Sequence, residues 1–291
     1  MKKIVGILTV LLTVSTVGKA QDTEYVNETF SGTRVLWNHS VEMLPKRTLE
    51  FIVSHKFGDV LAEDENGKLG PNINEWFGLD NLADVRIAFE YGILDNLNIG
   101  LGRSKGIDAT RQVVDGYVKY LFLKQKTQGM PISLVYTGSM ILPYQKASTD
   151  STSVASYPTF AHRFTFTNQL HIARKFGDRL SMQLNVGVNH RNYVGHNDIN
   201  TLVFAGGGIR FRMTKNIGVI VEYHHVLNRD LTFNQNPLSV GIELLTGGHA
   251  FTFGYSNARG INENLFIPGT TSNWLSGEFR LGFGINRRFK L

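Results

Sequence analysis

The stretch Asn38-His39-Ser40 contains the residue types that a serine hydrolase uses. In such an enzyme a histidine takes the proton of the serine hydroxyl, and a third polar residue orients the imidazole. Adjacent residues of an extended chain point to opposite faces, so Ser40 and His39 would not face each other. The stretch therefore favours a hydrogen-bonded structural segment over a nucleophile. We predict no catalytic residue and no enzymatic activity.

Metal binding is the next chemistry to consider. His190, His196, His224 and His225 gather near predicted loop ends, and neutral imidazole is a good metal ligand. Their spacing matches no metal motif. The acidic stretch 63–67 departs from a calcium loop because the residues around its glycine are displaced and no glutamate follows at the required distance. We predict polar residues at a rim, a solvated loop, and neither metal nor cofactor.

Apolar and polar residues alternate with a period of two through most of the chain, which is typical of β-strands. In 180–188, for example, every second residue is Leu, Met or Val, and those between are Ser, Gln, Asn and Gly. Helical periodicity is nearly absent, with one short exception at 73–79. The pattern predicts twelve strands, at 47–57, 83–92, 96–104, 111–123, 130–141, 159–174, 179–190, 199–213, 216–226, 236–245, 248–256 and 274–290.

Short and long connections alternate between these strands. The short ones, such as 94–96 and 246–248, are rich in Gly, Asn and Asp, as β-hairpins require. A soluble sandwich has no reason for this alternation, whereas a transmembrane barrel has short turns on one side and long loops on the other. We predict an all-β fold, a single antiparallel transmembrane β-barrel of 12 strands with short periplasmic turns and longer extracellular loops. The long connections are 58–82, 105–110, 142–158, 191–198, 227–235 and 257–273.

Strand length and number agree with this fold. A tilted strand needs roughly 9–11 residues to cross the hydrocarbon layer, and an even count returns both chain ends to the same side. Lipid cannot satisfy backbone polar groups, so the sheet must close, with an apolar outer face and an inner face that can carry charge. The mixed signs inside suit a lumen crossed by ion pairs at least as well as an open anion channel. The lumen-facing candidates are Glu50, Arg86, Glu90, Lys119, Arg163, Glu222, Glu243 and Arg280.

Glycine and tryptophan are expected at particular places in such a barrel. The run 206–208 is three glycines inside a predicted strand, without the lysine and helix of a phosphate-binding loop. It predicts a bend where the wall approaches something in the lumen. Trp37, Trp76 and Trp274 are expected in the aromatic girdles at the membrane interfaces.

The first twenty residues have the features of a secretory signal peptide. A basic start at 1–3 precedes an apolar run at 4–17 that is too short to span a membrane, and small residues follow at 18–20. Removing residues 1–20 takes away three lysines and leaves 27 basic against 24 acidic residues, a net charge of +3. No Lys/Arg run is present, so nucleic acid is not expected as a partner. Cysteine is absent from the sequence, which excludes disulfides.

Three parts follow: a signal peptide at 1–20, an N-terminal extended segment at 21–46, and an outer-membrane β-barrel at 47–291. An additional extended piece lies at about 33–43. The N-terminal segment is a plug, a cap or an extra strand, and the sequence leaves these three open. The expected location is the cell outer membrane.

The last strand alternates up to the end of the chain, because it must close the barrel against the first. Its pattern resembles the C-terminal recognition signal of outer-membrane β-barrels, which the assembly machinery binds. That signal usually ends in an aromatic residue; here Phe289 lies two residues before the terminal Leu291. The expected partners are outer-membrane lipid, the barrel assembly machinery through the C-terminal strand, and a small-molecule solute.

The stretch from Thr33 to Val60 resembles the opening of an uncharacterised β-barrel family from Bacteroidota. Members share an arginine, then His-Ser-Val-Glu, then a strand ending in Ser-His-Lys/Arg-Phe-Gly. Beyond this opening the similarity is one of layout. The family is a domain of unknown function, so the resemblance implies a fold and a location but no activity. The matching residues here are Arg34, His39-Ser40-Val41-Glu42 and Ser54-His55-Lys56-Phe57-Gly58.

Three functions can be ranked from these observations. The polar inner face favours a passive or weakly selective pore for small solutes. Twelve strands leave a narrow lumen that residues before 47 could block, so the alternative is a closed barrel that serves as a structural or binding platform for envelope partners. An outer-membrane hydrolase has the least support.

Overall fold

The computed structural model describes residues 24–63, 69–229 and 234–291. Over these residues it is a closed barrel of twelve antiparallel strands. The predicted signal peptide, and all but the first residue of the acidic stretch 63–67, lie outside these residues. Two further strands, β2 (Leu61–Glu63) and β3 (Leu69–Pro71), pair with each other in the first long loop. The barrel strands are β1 (Thr48–Asp59), β4 (Leu82–Leu94), β5 (Leu97–Ile107), β6 (Thr110–Leu123), β7 (Ser133–Pro143), β8 (Thr165–Phe176), β9 (Leu180–Arg191), β10 (Thr201–Arg212), β11 (Ile217–Val226), β12 (Leu238–Thr246), β13 (His249–Ser256) and β14 (Arg280–Lys290).

The first and last barrel strands close the sheet. β1 pairs with β14 in a register that begins at Thr48 and Lys290, and its other edge pairs with β4. The remaining strands pair in chain order, so every barrel strand has two hydrogen-bonded neighbours. A sheet in lipid requires this, because an open edge would leave backbone groups unsatisfied. The prediction of a twelve-stranded antiparallel barrel is confirmed.

Two strands start later than the sequence predicts. β8 begins at Thr165 instead of 159, because the capping box of Thr159 and His162 folds Phe160–Arg163 into a 3-10 turn. β14 begins at Arg280 instead of 274, because Trp274–Ser276 also forms a 3-10 turn. In both places the local capping of a turn prevails over the period-two pattern.

One connection is shorter than predicted. β5 continues to Ile107 and β6 starts at Thr110, so 105–110 is not a long loop and only Asp108 and Ala109 join the strands. Asp108 has a φ of 46°, a left-handed conformation that aspartate tolerates better than most residues. The alternation of short and long connections is interrupted here.

Side chains alternate between a buried inner face and an exposed outer face. Along β11, Ile220, Glu222 and His224 are buried, whereas Val221 and Tyr223 are exposed. The exposed residues of other strands are mainly large and apolar, which suits contact with lipid. Examples are Ile87, Phe89, Leu101, Val118, Leu184, Val186, Ile242 and Phe253.

The two ends of the barrel differ in their connections. We call one the turn end, where short connections such as 247–248 lie and where β1 begins and β14 ends. The other, the loop end, carries long connections such as 144–164 and 257–279. The difference matters because each end sends one segment into the lumen.

The N-terminal segment (24–46) folds into the lumen from the turn end. Its first residues bind the β6–β7 turn: the backbone N–H of Val26 donates to the Gln125 carbonyl (2.8 Å). Residues 29–44 are then mostly buried, and the segment returns to the turn end, where Lys46 N–H donates to Asp95 Oδ1 (2.9 Å). The extended piece at 33–43 is therefore not a thirteenth barrel strand.

The loop segment (257–273) folds into the lumen from the opposite end. It contains one short helix, α1 (Glu263–Gly269), whose start is capped because the Asn262 side chain accepts a hydrogen bond from Leu265 N–H (3.2 Å). Its residues are largely buried, and Leu265 packs with Ile107, Val113 and Ile141 of the wall. Among the described residues, no helix has the length and apolar character needed to cross a membrane.

The outer face provides a test of the fold. Val221 is exposed in the middle of β11. Val221→Arg should destabilise the barrel in lipid vesicles by about 2–4 kcal/mol, because a cation there faces hydrocarbon. Asn216→Arg, in the exposed β10–β11 turn, is the matched control and should have little effect. Guanidinium unfolding in vesicles measures both; equal stability of the two variants would contradict a lipid-facing position for residue 221.

Candidate functional site

Seven of the eight candidate lumen residues lie buried on the inner face of the wall. They belong to six different strands distributed around the barrel, and all of them are no more than 3% exposed. Several contact the same N-terminal segment, which is possible only if that segment lies inside. The seven are Glu50, Arg86, Glu90, Lys119, Glu222, Glu243 and Arg280.

Arg163, the eighth candidate, is not on the inner wall. Because β8 starts at Thr165, Arg163 belongs to the 3-10 turn of the preceding loop. Its guanidinium donates to the carbonyls of Pro143 and Gln145 (2.9 Å each) and lies 4.5 Å from the centre of the Tyr157 ring. Its role is to hold this loop at the loop end.

Most charges of the wall neutralise one another. Arg86 donates to Asp115 (Nε–Oδ1 2.9 Å), and Lys119 Nζ lies 3.7 Å from Glu90 Oε1. These groups are buried, where losing one partner of an ion pair costs about 3–5 kcal/mol. The arrangement favours a wall that is rigid and nearly neutral. Further pairs are Arg210–Glu243, Arg288–Glu50 and Arg280–Asp59.

The buried part of the N-terminal segment forms a small hairpin (residues 33–40). Val35 N–H donates to the Asn38 carbonyl (2.9 Å), and Ser40 N–H donates to the Thr33 carbonyl (3.0 Å). Leu36 and Trp37 therefore occupy the tip. At such a tight turn several backbone N–H groups point the same way and create a site for an anion.

Glu222 occupies this anion site. Its carboxylate accepts hydrogen bonds from the backbone N–H groups of Leu36 (3.1 Å), Trp37 (3.2 Å) and Asn38 (3.2 Å). Hydrogen bonds to an ionised group are about twice as strong as neutral ones. One wall carboxylate thus holds the tip of the hairpin through its main chain.

Glycines of the wall make room for the side chains of the tip. A Cβ at position 208 would lie 2.5 Å from Val35 Cγ1, and one at position 282 would lie 2.8 Å from Trp37 Cη2. Gly241 and Gly254 would approach Leu36 in the same way, at 3.0 and 3.3 Å. We call these four glycines, on β10, β12, β13 and β14, the glycine recess. The bend expected near 206–208 is thus a place where the wall meets the hairpin.

Trp37 departs from the expected interface girdle. It is 4% exposed, and its ring lies 4.7 Å from Lys56 Nζ inside the lumen. Composition alone does not distinguish a girdle tryptophan from one at the tip of an inserted hairpin. Trp76 is exposed and Trp274 half-buried, both in loops at the loop end.

Two further wall charges hold the loop segment, again through its main chain. Lys56 Nζ donates to the carbonyls of Ala258 (3.0 Å) and Gly260 (2.8 Å). Asp84 Oδ2 accepts from Ile261 N–H (3.1 Å). Neither residue was among the candidates, although both lie on the polar face of their predicted strands, and that parity is the signal that could have found them.

The two inserted segments meet at Glu263. Its carboxylate accepts a hydrogen bond from Ser139 Oγ (2.6 Å) on the wall, and lies 3.4 Å from His39 Nε2 and 3.8 Å from Arg34 Nη1 on the hairpin. The cavity beside the meeting point, lined by Arg34, Trp37 and residues of the wall, has a volume of only about 10 Å³. This cavity is too small to hold a solute.

Electrostatics at the junction depend on His39. Burial lowers the pKa of His39 to about 4, and the charge of Arg34 acts in the same direction, so the imidazole is neutral at pH 7. Burial alone would raise the pKa of the Glu263 carboxyl, but its contacts with His39, Arg34 and Ser139 lower it. Glu263 is consequently an anion that bridges the wall and both segments.

The hydrolase and metal hypotheses can be examined against this geometry. Ser40 Oγ donates to the Gly32 carbonyl (2.7 Å) while His39 faces Glu263, so the two side chains serve different contacts. His225 contacts Asn236, and His190 contacts Thr201. In the part of the chain that the structure describes, no three His, Asp or Glu residues are grouped so that they could hold a metal ion.

Comparison with known proteins agrees with the barrel. The model of the family described as membrane bound beta barrel domain (DUF5777) matches residues 30–289. The chain belongs to this family. The match begins within the N-terminal segment, so the hairpin is part of the family domain. The predicted membership of an uncharacterised β-barrel family is confirmed, and the family description places the barrel in a membrane.

Among solved structures, the chain is similar to two porins and one outer membrane channel at low identity. The NanC porin shares 8% identity over 84% of this chain and 100% of its own, with a TM-score of 0.49. The KdgM porin shares 8% identity over 83% of this chain and 99% of its own, with a TM-score of 0.46. The COG4313 outer membrane channel from Pseudomonas putida F1 shares 12% identity over 86% of this chain and 98% of its own, also with a TM-score of 0.46. No curated protein matches.

The contact between Glu222 and the hairpin can be tested directly. Glu222→Gln should increase trypsin cleavage after Arg34 at least about tenfold, because charged hydrogen bonds contribute roughly 1.5–3 kcal/mol and 1.4 kcal/mol is a factor of ten. Mass spectrometry of the fragment that ends at Arg34 measures it. Glu24→Gln, in the exposed start of the segment, is the control. Equal cleavage of the two variants would show that Glu222 does not hold the hairpin.

Acid should release the hairpin. The pKa of His39 is about 4 when the hairpin lies in the lumen, against 6.5 for an ordinary imidazole. Between these pH values the released hairpin binds more protons than the inserted hairpin. The inserted form therefore loses stability as pH falls from 6.5 to 4. The full difference between the two pKa values corresponds to about 3 kcal/mol in the free energy of inserting the hairpin. Trp37 fluorescence in a chain with Trp76→Phe and Trp274→Phe reports the release. His39→Asn should flatten this pH dependence. An unchanged slope would show that His39 does not control the release of the hairpin.

Proposed function

We propose that the protein is an outer-membrane pore for small polar solutes that is closed in the structure and opens when the N-terminal segment withdraws. The turn end faces the periplasm, and the loop end faces the exterior. The observation that carries the proposal is how the hairpin 33–40 is held. It blocks the lumen, but it enters and leaves at the turn end, so it can withdraw without breaking the sheet.

The contacts of the hairpin suit a reversible closure. The wall reaches it mainly with side chains: besides Glu222, Lys119 Nζ donates to the Thr33 carbonyl (3.3 Å), and Gln183 Nε2 donates to the His39 carbonyl (2.8 Å). Water can replace such hydrogen bonds when the segment moves, because the net contribution of each is only about 0.5–1.5 kcal/mol when both partners are neutral and about 1.5–3 kcal/mol when one is charged, as at Glu222 and Lys119. The closed state is therefore stable without being permanent.

The part of the wall that becomes accessible when the hairpin withdraws suits polar solutes. On β7, β8 and β9 many of its inward residues carry amides and hydroxyls, which can hydrogen-bond a solute without binding it as tightly as an unpaired charge would. Between β4 and β6, Arg86 pairs with Asp115, and Glu90 pairs with Lys119. The neutral residues are Thr137, Ser139, Thr167, Gln169, Gln183, Asn185 and Asn189.

The loop segment must also move before a solute can pass. Its junction with the hairpin provides the coupling, because Glu263 loses its contacts with His39 and Arg34 when the hairpin leaves. The carboxylate then keeps Ser139 as its partner on the wall. Withdrawal of the hairpin thus weakens the second closure as well.

A closed barrel that acts as a platform is the second candidate. The observation in its favour is that α1 and the loop segment pack against the wall with Leu265, Phe266 and Ile267 nearly completely buried. A segment packed this well resembles a permanent seal. On this view the long loops would bind partners, and the lumen would serve only stability.

Current through planar bilayers separates the two candidates. Leu36→Asp/Trp37→Asp in the full chain places two carboxylates beside Glu222, so repulsion should expel the hairpin and raise the open probability at least tenfold over the unaltered protein. Ser151→Asp/Asn197→Asp, with the same added charge in exposed loops, is the control and should behave like the unaltered protein. A variant that is folded by circular dichroism and remains silent would favour the platform.

A further inference from the structure

The lumen site beneath the hairpin tip recognises its occupant largely through the main chain. Glu222 accepts three backbone N–H groups, at Leu36, Trp37 and Asn38, and Gln183 donates to the next carbonyl, that of His39. Contacts of this kind are available to any peptide that adopts the same turn. The polar part of the site therefore does not require one unique sequence.

The apolar part of the site is built into the wall. The glycine recess comes from four strands and receives three consecutive side chains, Val35, Leu36 and Trp37. The Lys56 ammonium lies over the Trp37 ring (4.7 Å), a cation–π contact that favours an aromatic residue at this place. Barrel strands fix all of these groups, so the recess keeps its shape when the hairpin leaves.

One side-chain contact adds selectivity. Asn38 Nδ2 donates to Gln169 Oε1 (2.9 Å) and lies 2.9 Å from His224 Nε2, both on the wall. An amide after the aromatic residue can satisfy both groups, whereas an apolar residue would remove the contacts that Asn38 makes with His224 Nε2 and Gln169 Nε2, which is costly for buried groups. The site thus selects a short pattern: two or three apolar residues, one of them aromatic, followed by an amide.

We propose that this recess is a peptide-binding site, and that the hairpin is its occupant in cis. The ligand class is a short peptide with consecutive apolar side chains in a tight turn, which competes with the hairpin from solution. The inference rests on the proposed function, because the recess becomes accessible only when the hairpin withdraws. The peptide then takes the place of the hairpin at Glu222 and blocks or occupies the lumen.

Binding to the full chain tests this without depending on currents. The protein carries Leu36→Asp/Trp37→Asp, so that its own hairpin is expelled, and the probe is a fluorescein-labelled peptide with the sequence of residues 29–44. Fluorescence anisotropy should rise saturably with a Kd below about 1 mM, the effective concentration that a short tether supplies. The same peptide carrying Leu36→Asp and Trp37→Asp should bind at least tenfold more weakly.

A change in the wall provides the second control. Gly208→Val, added to the same protein, fills the place of the Val35 side chain and should weaken binding of the unaltered peptide at least tenfold. Circular dichroism establishes that each barrel is folded, and Leu36→Ala/Trp37→Ala replaces the aspartate variant if that one does not fold. No saturable binding below about 1 mM, or equal binding with and without Gly208→Val, overturns the inference.

The result is distinguishable from the outcome for the pore. Currents without peptide binding would leave the pore in place and remove the peptide site. Binding in a barrel that carries no current would retain the site but assign it to a closed platform. Binding together with a block of the current by the peptide is the result expected here.

Discussion

The closure of the sheet is the constraint on which the rest of this molecule depends. In lipid every backbone N–H and C=O must find a partner within the protein, and the pairing of β14 with β1 completes that set. Closure in turn creates an inside. The side chains of the inner face, separated from lipid, can then carry the buried charges that a chain of this size would otherwise expose to water.

Those inner charges divide into two groups with different roles. Arg86–Asp115 and Arg210–Glu243 satisfy each other across the wall and stiffen it. Glu222 and Lys56 instead reach the backbone of the inserted segments. A buried charge without a partner is costly, so the second group makes an empty lumen less favourable than a filled one unless water enters to solvate these groups.

The sequence predicts the barrel well because the period-two pattern reflects a local rule that each strand obeys by itself. That rule places Glu50 and Glu222 on the inner face, and Lys56 and Asp84 share the same parity. It fails at Arg163, where Thr159 and His162 cap a turn that interrupts the alternation. The girdle position expected for Trp37 fails for another reason, since an aromatic residue suits both a lipid interface and a glycine-lined lumen.

The junction at Glu263 could not be predicted from the sequence, for a different reason. Its partners, Arg34, His39 and Ser139, lie more than a hundred residues away along the chain, and loop residues follow no periodic pattern. Only the meeting of two segments from opposite ends of the barrel brings them together. The role of Arg34 and His39 in the opening motif becomes visible once that meeting is seen.

The opposed attachment of the two segments has a consequence for control. The hairpin is tethered where β1 begins, whereas the loop segment is tethered between β13 and β14 at the other end. Movement of the loop segment at its own end leaves the contacts of the hairpin with Glu222 in place, whereas withdrawal of the hairpin also removes two contacts of Glu263. In the proposed pore, control is therefore unequal between the two compartments: the one at the turn end acts on both obstructions, and the other acts on the loop segment alone.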